Sequence, residues 1–593
     1  MNKLEQKKKI AVVGAGVSGI SSLYGILNAH KNLPVDCENL QIDIFEAQDV
    51  GGYQYLAGPT SLEHAINMDM NAMTVGGVDP CEWICKHKDH ITKFLKTNFP
   101  SHHLLGKSLD LINNISPEDK FVYIPRVVYG LYLKNVYNSI VSQLKSRGIE
   151  VNEHKSQVTD IQQQPINDTI ATDKKYDSII YSGGHQIKTH SSNISSSKIE
   201  AYPASQVYEK LDNILLEKVK SGITPIEIDV KVLGTSLSGI DSVFSINSWV
   251  ENGKIKNPEL FKNVKVNLTL SSRSLNFPTA RITEMPKNPV NDEIMMSLCR
   301  KAYKSLRISN ATTFEKQMLN LYVDIVNTYR TNLGKEHGIN LQPLTFDEIF
   351  NSDQQKCENA SEIKAKTLHN ISRATDKNDL EYLLNQACFR MSSKYGTYLF
   401  GKLTKHNLGQ AYRTAYVNNV TAVPVVTLKR LLNALDNPNI QTSVRSELKS
   451  HIGNYDITLD ASGGVKKISE HGGVIDSLLS SDKITKGGVS KVKGLLSPGN
   501  NKITTAFVGG SAKEGKNAGH IAMLNMVSSH LQDGKNKTSW FNDVDGKVPQ
   551  SKLPTSNFAD TTTFSQKTVG DTVTKLHYTN KVKDGLGHGM AKL

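Results

Sequence analysis

Long apolar runs are missing from this chain. No stretch approaches the roughly 18 consecutive apolar residues of a membrane span. The lysines at its start run into a short apolar segment with no signal-peptide core, so a cytoplasmic location is expected. Cysteine is scarce, with six in 593 residues. Cys37, Cys81, Cys85, Cys299, Cys357 and Cys388 are too scattered to form a disulfide framework. The two-residue spacing of a redox dithiol does not occur. The closest pair, Cys81 and Cys85, stands at i, i+4 on an expected helix, a spacing that favours packed or surface thiols. The basic residues behind the net charge of +13 neither gather into one arm nor alternate with aromatics. The charge therefore reads as a lysine-rich surface around polyanionic ligands, with nucleic acid as the weaker alternative. At this length more than one domain is expected.

What is present is concentrated in the first fifty residues. Ile10 to Val13 form a short apolar strand, and Gly14-Ala15-Gly16-Val17-Ser18-Gly19 follows it. Ile20 to Asn28 reads as a helix, and Gln41 to Phe45 as a second strand that ends at Glu46. Strand, glycine turn, helix, strand and acid make up a dinucleotide-binding fingerprint. Gly14 permits the turn, Gly16 leaves room for a pyrophosphate, and Gly19 lets helix and strand pack closely. Glu46 is placed to accept hydrogen bonds from a ribose. The stretch Lys31 to Asn39 reads as a loop insertion within the unit.

A second unit repeats the pattern. Ile228 to Leu233 leads to Gly234-Thr235-Ser236-Leu237-Ser238-Gly239, then a helix over Ile240 to Val250 and a strand over Val264 to Leu270. Serine occupies the middle glycine position, and the strand ends in Ser271-Ser272-Arg273-Ser274 where an acid would be expected. Hydroxyls and an arginine suit a 2′-phosphate, so a phosphorylated dinucleotide is expected there. Between the units, Gly51-Gly52-Tyr53 opens a glycine-containing segment with His64 to Asn67 as fixed points. Pro125-Arg126 precedes an amphipathic helix over Leu131 to Lys145, and Tyr176 to His185 reads as a strand running into glycines. His185 is open to a catalytic role, though a loop histidine beside glycines more often serves as a hydrogen-bonding group.

Residues 286–414 carry helical periodicity over Glu293–Leu306, Phe314–Tyr329 and Leu380–Phe389. They read as a helical insertion or cap. Its Arg307, Arg330, Arg390 and Arg413 can bind an acidic substrate or simply line a solvated face, the commoner outcome. Short strands return at Val423 to Leu428 and Asp456 to Gly464, the second similar in pattern to the Tyr176 strand. Ile503 to Val508, Gly509-Gly510-Ser511 and a helix over Asn517 to Gln532 close the pattern. Beyond Gly534 the chain reads as a polar, loosely ordered tail.

The N-terminal turn, His64-x-x-Asn67, Asp79-Pro80, Pro125-Arg126-x-x-Tyr129-Gly130-x-Tyr132-Leu133, Ser182-Gly183-Gly184-His185 and the turn at Gly234 occur together in this order. The set resembles the bacterial FAD-NAD(P)-binding flavoproteins, a family similar in layout to class B flavin-dependent monooxygenases, N-hydroxylating enzymes among them. The resemblance covers residues 8–280 well and 420–530 in part. It implies an α/β fold of two dinucleotide-binding, Rossmann-like domains with a helical insertion. The FAD-binding domain would span 1–200 and 415–533, the NAD(P)H-binding domain 201–285, the insertion 286–414 and the tail 534–593.

FAD and NADPH are the implied cofactors. Gly14, Gly16, Gly19, Glu46, Gly52, Asn67, Arg126, Gly234, Ser236, Gly239, Arg273, Gly509 and Gly510 are the expected cofactor-binding residues. No metal is expected, and no catalytic triad is visible or needed. The implied chemistry is oxygenation through a flavin C4a-hydroperoxide, with dioxygen and a small amine or amino acid as substrates. An NADPH-dependent flavin reductase without oxygen transfer, and a non-catalytic FAD-binding interaction protein, are the other readings. Three departures from the family pattern stand out. Ser236 replaces a glycine, the segment Gly509 to Gly515 offers only Glu514 as its acid, and the F-x-G-x-x-x-H signature of Baeyer–Villiger enzymes is missing.

Overall fold

The computed structural model of the protein describes residues 8–31, 40–58, 61–67, 70–119, 122–158, 161–163, 168–170, 174–176, 178–182, 198–272, 275–282, 286, 288–306, 311–350, 357, 359–376, 378–400, 422–444, 455–461 and 495–496. They fall into two compact units. The first takes the described residues of 1–271, 439–441 and 450–549; the second takes those of 272–438 and 442–449.

The first unit holds two parallel sheets. In one, β1 (Lys8–Val13), α1 (Val17–Lys31) and β2 (Leu40–Phe45) form the N-terminal strand–helix–strand. Then come α2 (Arg126–Ser146), β3 (Glu150–His154) and β4 (Ser178–Tyr181). The strand order is β10-β4-β1-β2-β3, where β10 is the two-residue strand Leu495–Leu496. Every pairing in this sheet is parallel, with Ile10 beside Ile42 and Ser178. Parallel strands need helices on both faces, and their side chains are accordingly apolar on both sides. Ile10, Val12, Ile42 and Ile44 are buried, in one core with Val128, Tyr132, Val136, Ile140 and Leu144 of α2.

The second sheet is built from β5 (Lys198–Glu200), α3 (Ala204–Lys220), β6 (Ile226–Leu233), α4 (Leu237–Lys256) and β7 (Val264–Ser272). With β8 (Ile440–Val444) and β9 (Ile457–Asp460) its order is β8-β7-β6-β9-β5. The sequence pattern places the chain back in the first sheet over 415–533. Instead β9 inserts between β6 and β5 of the second sheet, parallel to both, and β10 alone joins the first.

The second unit is helical. It contains α5 (Asp292–Leu306), α6 (Ala311–Glu336), α7 (Ala360–Thr375), α8 (Leu380–Phe400) and α9 (Val425–Leu435). The last replaces an expected strand over Val423 to Leu428. Pro424 sets φ at −52° just before the helix, and Leu428, Leu431, Leu432 and Leu435 bury one face at i, i+3, i+4 and i+7. Only Val423 keeps an extended partner, Ala280. Helical periodicity overrides the short apolar run.

Arg330 of α6 does not line a solvated face. It is 3% exposed, its Nε donates to Gln342 O at 2.5 Å, and its Nη2 lies 3.2 Å from Glu381 of α8. Arg307 and Arg413 lie outside the described residues. No described helix is long and apolar enough to cross a membrane.

Candidate dinucleotide-binding site

The first turn is set by backbone bonds. Gly14 N–H donates to Phe45 O at 2.7 Å, tying the turn to the end of β2, and Ile20 N–H donates to Gly16 O at 2.9 Å as α1 begins. Gly14 has φ of 93°, open to glycine and costly for other residues. A Cβ on Gly19 would stand 1.9 Å from Gly14 O, so the helix can approach the turn this closely only without one.

Gly16 is different. A Cβ there would meet nothing nearer than Gly52 Cα at 3.5 Å, an ordinary contact. Packing within the protein leaves space for a side chain at Gly16, and that space lies at the N-terminal end of α1. A pyrophosphate laid across the turn fills such a space and faces the helix N–H groups. Glu46, at the carboxyl end of β2, is half-buried and folds back onto the turn. Its carboxylate accepts from Ala15 N–H at 2.6 Å and from Gln48 N–H at 3.0 Å. Gly51 pairs with Gly16 and donates to Ala15 O at 3.0 Å, which brings Gly52 beside the turn. Asn67 is half-buried at the end of the His64 segment, where Ile66 N–H donates to Ile124 O.

The second turn repeats this geometry. Gly234 N–H donates to Ser271 O at 2.8 Å, Ile240 N–H donates to Ser236 O at 3.0 Å, and a Cβ on Gly239 would stand 2.1 Å from Gly234 O. Ser236 is the residue before α4, in extended backbone, and its side chain makes no cap bond to the helix. At the end of β7, Ser271 is buried, and Ser272 Oγ accepts from Leu275 N–H at 2.9 Å. Arg273 lies in the turn so closed, outside the described residues, as do Gly509 and Gly510 and the expected elements around them. Gly183, Gly184 and His185 also lie outside, whereas Ser182 is described. Its hydroxyl donates at 2.8 Å to Val13 O and lies 2.9 Å from Gly14 O.

Arg126 is placed by the first turn of α2, directly after Pro125. It does not reach the glycine turns. Its Nε donates to Ala65 O at 3.0 Å, its Nη1 to the Tyr202 hydroxyl, and its Nη2 forms an ion pair with Asp241 at 2.8 Å. The group is buried, yet the carboxylate of Asp241 holds its pKa above the usual value against the desolvation that would lower it. His64 completes the cluster. Its Nε2 lies 2.9 Å from Ser245 Oγ and 3.3 Å from Asp241 O, and its Nδ1 lies 3.1 Å from the Tyr202 hydroxyl. Because a carbonyl can only accept, these distances fit a proton on Nε2 and a tyrosine hydroxyl donating to Nδ1. Burial pushes the His64 pKa down, so the imidazole is kept neutral.

Beside it, Glu63 accepts from the Tyr208 hydroxyl and lies 3.4 Å from His102 Nε2. Burial opposes its charge, but His102, the field of His64 and Tyr208 hold its pKa at about 2. Tyr202, Tyr208, Asp241 and Ser245 were not legible as site residues. The only sequence signal was polar spacing along α4.

The described cysteines form no dithiol. Cys81 Sγ donates to Asp119 O and Cys85 Sγ to Ile115 O, and none of the five described cysteines is in a disulfide. Burial pushes the thiols of Cys299 and Cys388 up to about 12.

Residues 11–186 match the family model described as FAD-NAD(P)-binding. The first sheet and its glycine turn are therefore an FAD-NAD(P)-binding domain, and FAD and NAD(P)H are the cofactors it implies. A curated relative, the uncharacterized protein YdhS of Escherichia coli (strain K12), is 24% identical over 324 residues, which cover 50% of this chain and 52% of that one. The chain spans about half the length of this relative. Among solved structures, the chain is similar to L-lysine 6-monooxygenase from Pseudomonas syringae, with 10% identity, 89% of this chain and 99% of that one covered, and a TM-score of 0.37. It is also similar to OTEMO in an FAD-bound form, with 12% identity, 89% and 85% covered, and a TM-score of 0.37.

Proposed function

We propose that this chain is an FAD- and NADPH-dependent oxidoreductase acting as a monooxygenase on a small amine-bearing substrate. The observation that carries the reading is the pair of glycine turns in one compact unit, each closed by the same backbone bonds and each opening a helix N-terminus. Gly14 to Gly19 with Glu46 would hold FAD, and Gly234 to Gly239 with the residues after β7 would hold NADPH. When bound, the flavin supplies electron transfer from the nicotinamide nucleotide to an acceptor, dioxygen in this reading.

The chain's own residues bind and orient. The N–H groups of α1 and α4 face the two pyrophosphates. Glu46 accepts from a ribose, and the hydroxyls and Arg273 after β7 favour a 2′-phosphate over a bare ribose. The absence of a dithiol among the described cysteines favours a small-molecule acceptor over a protein disulfide relay.

The test uses purified protein, NADPH and isotopically labelled dioxygen with a panel of amines and amino acids. The expected result is bleaching of the flavin by NADPH under argon, followed in air by incorporation of one labelled oxygen atom into a substrate. Hydrogen peroxide equal to the NADPH consumed, with every amine, overturns oxygen transfer and leaves a flavin reductase. A flavin that neither NADPH nor NADH bleaches overturns the oxidoreductase.

A further inference from the structure

The polar face of α4 is not used by the proposed function. Asp241, Ser245, Ser248 and Asn252 fall at i, i+4, i+7 and i+11, one stripe along the helix. Stripes of this kind normally face water. Here Asp241, Ser245 and Ser248 are buried, and the whole stripe receives groups from the first dinucleotide-binding half. Arg126 pairs with Asp241, His64 bonds Ser245, His103 Nε2 lies 2.8 Å from Ser248 Oγ, and His103 N–H donates to Asn252 at 3.0 Å.

Charge enters this seam at the nucleotide end of α4. Asp241 follows Gly239 by two residues and stands four residues into the helix, about 6 Å along its axis from the N-terminus that faces the second pyrophosphate. A buried carboxylate at that depth repels a polyanionic ligand and is costly unless it is paired. Arg126 pairs it, from the opposite half of the unit. Its remaining bonds, to Ala65 O and Tyr202, fix the guanidinium between the two halves.

We infer that Arg126 is a positioning residue for the nicotinamide nucleotide. It sits on the first half and acts on the second through Asp241, seating α4 and cancelling a carboxylate beneath the second glycine turn. This rests on the reading of the unit as two dinucleotide sites.

Arg126→Met removes the charge while keeping an unbranched stem. Two readouts are taken: FAD bound per chain, from absorbance, and NADP+ affinity of the FAD-loaded protein, from titration calorimetry. The expected result is unchanged FAD content with NADP+ affinity lower by at least ~10-fold. The double variant Arg126→Met/Asp241→Asn should recover to within ~3-fold of the wild type, because the stranded carboxylate is gone. Should Arg126→Met not fold, Arg126→Lys carries the same test: it keeps the charge, loses the fork, and should weaken NADP+ but not FAD.

Loss of FAD with NADP+ affinity intact, parallel loss of both, unchanged NADP+ affinity, or no recovery in the double variant each overturn the inference. A wild-type protein that binds neither NADP+ nor NAD+ overturns the two-site reading itself. Equal binding by wild type and variants overturns only the role of Arg126.

Discussion

The two halves of the first compact unit repeat one another bond by bond and then diverge at a single place. Gly14 N–H to Phe45 O corresponds to Gly234 N–H to Ser271 O, and the glycine that lets each helix approach sits five residues into each turn. Even the neighbouring strand is repeated. Ser182 N–H donates to Val13 O after β4, and Ala461 N–H donates to Leu233 O after β9. The divergence is at the end of the second strand of each half. The first ends in Glu46, whose carboxylate folds onto the turn; the second ends in Ser271 and Ser272 and runs into Arg273. Shared turns bind what the two ligands share, a pyrophosphate. The strand ends meet what differs, a bare ribose against one carrying a 2′-phosphate.

The strongest way to break the comparison is to put a methyl where both turns exclude one. Gly19→Ala places a Cβ 1.9 Å from Gly14 O, and Gly239→Ala places one 2.1 Å from Gly234 O. Neither neighbour is a flexible side chain, so the turn itself must open, at or beyond the upper end of the ~1–3 kcal/mol usual for overpacking. Gly19→Ala should be recovered without FAD. Gly239→Ala should retain FAD and lose measurable NADP+ binding. Loss of FAD from both variants would show that the turns do not act separately.

Next in size is the strand end of the first half. Glu46→Gln keeps the shape and removes the charge, giving up charge-assisted bonds worth about 1.5–3 kcal/mol. FAD affinity should fall about 10- to 100-fold, as read by flavin retained after dialysis. Glu46→Arg sets a cation against Ala15 N–H and should leave the protein colourless. A fully yellow Glu46→Arg would remove Glu46 from the site.

Much of this was legible before the structure. Glycine spacing with flanking apolar strands announced both turns, because the steric demand at Gly19 and Gly239 is local to six residues. The similarity of the Tyr176 and Asp456 strands was also legible, but not its meaning. Each strand pairs with the first strand of a different half, and sheet membership is a long-range fact that periodicity does not carry. The segment Val423 to Leu428 was read by its apolar run, although the leucines beyond it already kept helical spacing to Leu435. The buried polar stripe of α4 was hidden for another reason. A polar helical face looks the same in sequence whether water or Arg126, His64 and His103 lie against it.

A smaller effect tests the strand end of the second half. Arg273→Ala should weaken NADPH by about 10- to 100-fold and leave NADH nearly unchanged, since one charge-assisted phosphate contact is worth about 1.5–3 kcal/mol. The ratio of KM values for the two nucleotides reads it directly. Equal weakening of both would mean that Arg273 contacts a group they share.

The smallest effect concerns the seam where the halves meet, through the proton that His64 does not carry. Its folded pKa is depressed below the ordinary 6.5 by burial and by Arg126, with Asp241 and Glu63 opposing. The unfolded chain therefore binds more protons below pH 6.5, so the stabilising contribution is complete above that value and is lost as pH falls. Glu63 has the same sign in a lower window, from 4.5 down toward about 2. Between pH 7.5 and 5.5 only His64 of this pair changes its contribution, and the melting temperature should drop by on the order of a few degrees. His64→Gln retains a donor and an acceptor but cannot titrate, and it should flatten the dependence in that range. If its melting temperature follows pH as steeply as the wild type's, another group carries the effect. The seam would then be held by Arg126 and Asp241, whose charges do not change between those pH values.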